Sequence, residues 1–328
     1  MSELTHLGPR PTCSRLRPSY HEGTVPLPLA NPLAQNRSSA FASTANRRFD
    51  APALLRLWHL ASLDAPTVAV VWALGFAWAA RVRLPPWVPV LLALVAWTVY
   101  IADRLLDAHT ALRTGQTDRL RERHFFHHRH RRILGASALG SACIAAWIVV
   151  SLMPAAAVER NSVLAAAAGA YFFGVHSRPL PKLPAQLLSK EFLVGVLFTA
   201  ACALPALSHT ASNSSSPQLW SLSAAAAYFA ALAWLNCRSI ERWESVDKRS
   251  QVSPAALVLV LAGLLLATAL VPITHRAAVL VASGTLSALL LAMLDRQRNH
   301  LTPLALRIAA DLVLLCPALL FPTVLPCR

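Results

Sequence analysis

The chain has 328 residues, 55% of them hydrophobic and 14% charged, with a formal net charge of +15. A mean hydropathy of +0.48 with so few charges is foreign to most soluble proteins and ordinary for a polytopic membrane protein. The basic excess is almost all arginine and falls in loops between apolar runs, so it reads as a topology signal and argues against nucleic acid as a partner.

Residues 1–50 are rich in Pro, Ser, Asn and Arg and lack the apolar core of a signal peptide, which predicts a disordered basic tail or an over-extended start. Residues 51–328 form the membrane domain. Nine apolar segments follow one another at roughly 54–80, 86–107, 133–153, 160–176, 187–208, 217–240, 252–273, 276–295 and 301–325. Each is near the length that crosses about 30 Å of hydrocarbon, so the expected fold is all-α with nine transmembrane helices. The six cysteines form no CxxC pair and sit mostly inside these runs, as small buried hydrophobes do.

Loop charge orients the chain. The loops leaving segments 2, 4, 6 and 8 hold Arg113, Arg119, Arg121, Arg123, Arg129, Arg131, Arg132, Arg178, Lys182, Lys190, Arg238, Arg242, Lys248, Arg249, Arg296 and Arg298. The opposite side holds only Arg81, Arg83, Arg160, Arg276 and Arg328. The positive-inside rule then puts the N-terminus and the even-numbered exits in the cytoplasm of a cell-membrane protein.

Segment 2 closes on Tyr100-Ile-Ala-Asp103-Arg104-Leu-Leu-Asp107, whose two carboxylates stand one turn apart on one helical face. Segment 6 closes on Glu241-Arg242-Trp243-Glu244, with Asn236 just upstream. Acids at the end of an apolar helix are costly and functional by default, and both clusters fall on the cytoplasmic side. Their likeness suggests two four-helix units, segments 1–4 and 5–8, plus a ninth helix. Four carboxylates facing each other suggest a divalent-metal site.

These features together resemble the UbiA superfamily of intramembrane prenyltransferases. The family's first motif runs Asn-Asp-x-x-Asp-x-x-x-Asp, and Ala102-Asp103-Arg104 with Asp107 matches its second half. Val99 and Tyr100 stand where the leading Asn and Asp would be. Glu241 and Glu244 take the place of the second motif's aspartates. Tyr171, Arg178, Lys182 and Lys190-Glu191 through Gly195 are similar to the family's tyrosine, basic loop and following span. The resemblance covers about residues 54–325.

The resemblance implies Mg²⁺-dependent transfer of an isoprenyl group from an isoprenyl diphosphate to a lipophilic, aromatic acceptor within the bilayer. Asp103, Asp107, Glu241 and Glu244 would be the catalytic metal ligands, since Mg²⁺ binds through one or two carboxylates plus substrate phosphates. Arg104, Arg178, Lys182 and Arg242, with Asn236, would meet the diphosphate, and Arg56 is a further candidate. Tyr100 and Tyr171, with Trp97, Phe172, Tyr228 and Trp234, would offer aromatic faces to an allylic cation.

The loop after segment 2 holds His109, His124, His127, His128 and His130 among arginines, and His124-Phe-Phe-His127-His128 spells H-x-x-H-H. One such box supplies too few ligands for a di-iron centre, so a basic amphipathic lid is expected. Arg307 and Asp311, four apart, are expected to neutralise each other, while Asp64 has no local partner. Two other functions fit the same residues: a UbiA-like protein altered in catalysis that binds an isoprenoid or lipid, and a transporter.

Overall fold

The computed structural model describes residues 51–114, 122–177, 190–213, 216–244 and 252–323. The N-terminal tail expected over residues 1–50, with Arg178 and Lys182, lies outside the described residues. Every element among the described residues is helical, and six helices are long and apolar enough to cross a membrane.

The chain enters through α1 (Ala53–Leu60) and α2 (Asp64–Ala80), which meet at 87°. The elbow is a helix C-cap of Schellman type. Leu63 N–H bonds back to Trp58 O at 3.0 Å and Ser62 N–H to His59 O at 3.0 Å, with Ser62 at φ 57°. The indole N–H of Trp97 holds the turn by donating to Ala61 O at 2.9 Å. If this bent pair is one span, the candidates rise from six to seven.

Next come α3 (Trp87–Thr114), the short α4 (Glu122–Arg129), α5 (Arg131–Leu152) and α6 (Ala155–Ser177). The second half holds α7 (Lys190–Asn213), α8 (Ser216–Glu244), α9 (Ser253–Leu270), α10 (His275–Gln297) and α11 (Pro303–Val313), then a 3₁₀ turn over Cys316–Thr323.

Nine segments were expected; six correspond to helices that can span, the first is the bent pair, and two others fall short for different reasons. The 160–176 segment is inside α6, where Glu159, Arg160 and Asn161 at one end and His176 and Ser177 at the other keep the hydropathy low. The 301–325 segment breaks after an 11-residue helix into the 3₁₀ turn, too short to cross by itself.

The core is built around α2, which is apolar on all sides and packs on α3, α7, α8 and α10. Trp72 stacks on Phe229 with ring centroids 3.7 Å apart and donates its N–H to Leu314 O at 2.9 Å. Helices α7 and α8 run very close at Gly195, where an added Cβ would stand 3.0 Å from Trp234 N and 3.1 Å from Ala230 O. The outer helices keep large apolar side chains on their open faces, among them Trp147, Val150, Leu261 and Leu265. Such faces suit lipid and not water, and the protein reads as a multi-pass membrane protein.

Candidate functional site

The elbow positions a cluster of buried polar side chains. His59 ends α1 and Asp64 begins α2, so the bend brings His59 Nδ1 to 2.7 Å from Asp64 Oδ2. Asp311 of α11 approaches the same nitrogen at 3.7 Å, and Asn236 of α8 donates to Asp311 at 3.4 Å. Arg104 of α3 closes the group, with Nη2 3.6 Å from Asp64 Oδ2 and its guanidinium 4.8 Å from the Tyr100 ring centre. His59, Asp64, Arg104 and Asn236 are all below 5% exposed. Two residues expected to meet diphosphate, Arg104 and Asn236, therefore belong to a buried network.

Beside it lies a second polar knot. Glu244, at the end of α8, accepts from both Nη atoms of Arg123 at 2.7 and 3.2 Å and from Arg307 at 3.0 Å. Arg307 thus turns to Glu244 and leaves Asp311 to His59 and Asn236, which corrects the pairing expected from their i, i+4 spacing. Asp64, for which no local partner was expected, has His59 five residues away across the bend.

The histidine-rich helix α4 lies over this region. His127 is fully buried; its Nδ1 stands 2.7 Å from Arg123 O and its Nε2 3.2 Å from Ser62 Oγ. A carbonyl partner requires Nδ1 to carry the proton, so Nε2 accepts from the Ser62 hydroxyl. Burial pushes the His127 pKa down to about 4, which keeps the ring neutral at neutral pH. His130 meets Phe126 O at 2.9 Å and His128 meets Arg131 at 3.1 Å. These three histidines thus have separate partners.

The four acids expected to share a metal have different surroundings. Asp103 and Asp107 of α3, together with Glu191 of α7, act electrostatically on the hydroxyl of Tyr171 from α6. That hydroxyl is buried and has no hydrogen-bond partner among the described residues. Glu241 is about half exposed and pairs with Arg238 at 2.9 Å. Arg242 lines a cleft with Trp243 and Arg298. Of the aromatics, Tyr171 and Phe172 stay near the acids by position on α6, whereas Tyr228 donates to Leu259 O at 3.2 Å inside the core and Trp234 packs against it.

Among the described residues, the one group of three ligand-type side chains within 4.8 Å of one another is His59, Asp64 and Asp311. A divalent ion fits poorly there. Arg104 already pairs with Asp64, and Arg123 and Arg307 with Glu244, so an ion would add two positive charges beside three guanidinium groups in an apolar bundle. The groups that act on Tyr171 are three carboxylates and the Cys237 thiol, and the carboxylates are the ones that suit Mg²⁺. Since no three of those acids converge within 4.8 Å, each ion there would take one or two carboxylates and complete its shell from phosphate and water.

Comparison with protein-family models, with curated proteins and with solved structures returns no match to this chain.

Proposed function

We propose that this membrane protein is an isoprenyl transferase of UbiA type, using Mg²⁺ to act on an isoprenyl diphosphate and pass the chain to a lipophilic, aromatic acceptor. The observation that supports it best is that Asp103 and Asp107 of α3 and Glu191 of α7 all act electrostatically on one hydroxyl, that of Tyr171 on α6. In this reading the nine segments, including the broken last one, make up the bundle, as two four-helix units plus one. The acidic end faces the cytoplasm, where the basic loops gather.

Bound Mg²⁺ would neutralise the diphosphate and favour its departure. The carboxylates of Asp103, Asp107 and Glu191 hold the charge that recruits it. The Tyr171 hydroxyl stands ready to donate to a phosphate oxygen, and its ring, with Phe172, offers a face to developing positive charge. The apolar helices keep bulk water from the reacting carbon. Arg178 and Lys182 fall in sequence between α6 and α7.

A second reading has its own support. Glu244 is clamped by two arginines and Glu241 is paired with Arg238, so the second acidic cluster is committed to ion pairs. That favours a UbiA-like protein altered in catalysis that still binds an isoprenoid.

Proteoliposomes with Mg²⁺, labelled isoprenyl diphosphates of several lengths and aromatic acceptors separate the two. Diphosphate release should depend on Mg²⁺ and fall at least a hundredfold in Asp103→Ala and Glu191→Ala, while Glu241→Ala stays near wild type. Equal release by wild type and Asp103→Ala with every donor overturns the enzyme reading. Saturable isoprenoid binding without release would leave the second reading standing.

A further inference from the structure

Two carboxyl groups meet inside the bundle, and only Asp64 has an arginine beside it among the described residues. The ligand atoms of His59, Asp64 and Asp311 lie within 4.8 Å of one another, and the Asp311 carboxyl reaches that of Asp64. Arg104 stands 3.6 Å from Asp64, whereas Arg307, one turn before Asp311 on α11, is turned to Glu244 at 3.0 Å. Asp311 is left with His59 Nδ1 at 3.7 Å, the Asn236 amide at 3.4 Å and Asp64 itself. Two ionised carboxylates in such contact repel, the more so where water is scarce. One proton between them turns the repulsion into a hydrogen bond.

The fold decides which carboxyl keeps that proton. Asp64 opens α2, where the helix dipole favours a negative charge, and its Oδ1 accepts from Ala65 N at 3.0 Å. Its Oδ2 lies 2.7 Å from His59 Nδ1, which donates to it. Asp311 stands in the last turn of α11, where the dipole opposes a negative charge. The imidazole is the poorer holder. With Nδ1 donating to Asp64, a second proton would sit on Nε2, which is buried and has no hydrogen-bond partner among the described residues.

The other groups that face this pair do not replace the proton. Tyr100 of α3 and Cys237 of α8 feel the charge of Asp311, and both side chains are uncharged at neutral pH. His127 of α4 faces Asp64 and Arg104 with its neutral ring. Arg123 and Arg307 both point to Glu244, so their charge acts on Asp311 only at a distance. Buried polar atoms with no hydrogen-bond partner among the described residues, Asn236 Oδ1 and both Nη of Arg104, lie about the same group.

We propose that Asp64 and Asp311 form a proton-binding site, in which one exchangeable proton resides on Asp311 and is shared with Asp64. When that proton passes to solvent, Asp311 becomes an anion one turn from Arg307 and competes with Glu244 for it, so the site links proton binding to the Glu244 clamp. The assignment does not depend on the transferase reading.

The test is infrared spectroscopy of the full chain in mild detergent, titrated with pH, beside thermal unfolding. Wild type at neutral pH should show the carbonyl stretch of a protonated carboxylic acid, shifted in heavy water and vanishing in one step as pH rises. Asp311→Asn should lose that band yet melt within about 2 °C of wild type, because a neutral amide replaces a neutral acid. Asp64→Asn should melt about 5 °C lower or more, because it strands Arg104 and removes the charge that opens α2. Glu241→Gln, on an exposed acid paired with Arg238, should change neither band nor melting. Arg307→Gln, which removes a nearby positive charge, should hold the band to higher pH than wild type. The proposal is overturned if wild type lacks the band, if the band survives in Asp311→Asn, or if Asp311→Asn is destabilised as much as Asp64→Asn or fails to fold. It is also overturned if Zn²⁺, the ion best suited to one imidazole and two carboxylates, abolishes the band and raises the melting temperature of wild type, since the group is then a metal site.

Discussion

Replacing Glu244 by glutamine decides whether that carboxylate is a metal ligand or a clamp. In the clamp it receives two bonds from Arg123 and one from Arg307, at 2.7, 3.2 and 3.0 Å. The three side chains are only 14–20% exposed, so removing the charge leaves two guanidinium groups close together with little water to screen them. Breaking a fully buried pair costs about 3–5 kcal/mol. Partial exposure here lowers the expectation to about 2–4 kcal/mol, or about 5 °C in melting temperature for a helical domain of this size.

The assay is thermal unfolding of the detergent-solubilised protein with and without Mg²⁺, run for Glu244→Gln, Arg123→Gln and the double variant. The loss should be the same in both conditions, and the double variant should lose less than the sum of the singles by about 1–2 kcal/mol. Hydrogen exchange should speed up in α4, which Arg123 anchors, and stay unchanged in α9, whose first turn is held by Asp295. A melting temperature within about 1 °C of wild type, coupled to loss of any Mg²⁺ response, refutes the clamp and returns Glu244 to the metal site.

Two further outcomes follow from the packing and from α4. Gly195→Ala drives a methyl group against the backbone of Trp234 and Ala230, which cannot swing aside, so it should cost about 1–3 kcal/mol in thermal stability, whereas Gly140→Ala, with open space around it, should be neutral or better. His127 has a folded pKa of about 4, below the ordinary histidine value of about 6.5, so the unfolded chain takes up the proton first. Its contribution to stability is complete above pH 6.5 and is lost as pH falls toward 4; the melting temperature of His127→Gln should show a flatter slope than wild type across that window, and parallel slopes would refute the buried neutral ring.

Long apolar runs were legible because hydrocarbon thickness fixes their length, and most of the expected segments correspond to helices that can span. Composition misled where Glu159, Arg160 and His176 flank the apolar stretch of α6 and where Pro317 and Pro322 accompany the broken end of the chain. The pairing of Asp103 with Asp107 on one face came from helical period alone. Glu191 was in plain view after Lys190, yet nothing local tells which helix it will meet. His59 and Asp64 could be joined only through an elbow whose turn residue is Ser62 and not glycine, so the sequence carries no conspicuous signal for it. The i, i+4 rule failed for Arg307 and Asp311 because a third residue, Glu244, competed from another helix with better geometry.

The Asp103-Arg104 pair shows how one motif can serve two sites. Consecutive residues on a helix point about 100° apart, so α3 must send these two side chains to different neighbours. Asp103 acts on Tyr171 with Asp107 and Glu191, while Arg104 turns inward to Asp64 and stacks over Tyr100. The arginine fixes the rotation of α3 against the elbow through a buried ion pair, and that rotation sets where the aspartates project. Arg104→Lys, which keeps the charge but loses the planar stack on Tyr100, should therefore loosen the acid site without touching it. On the transferase reading the arginine next to Asp103 therefore matters for a physical reason: through its buried ion pair it sets the direction in which the aspartates project.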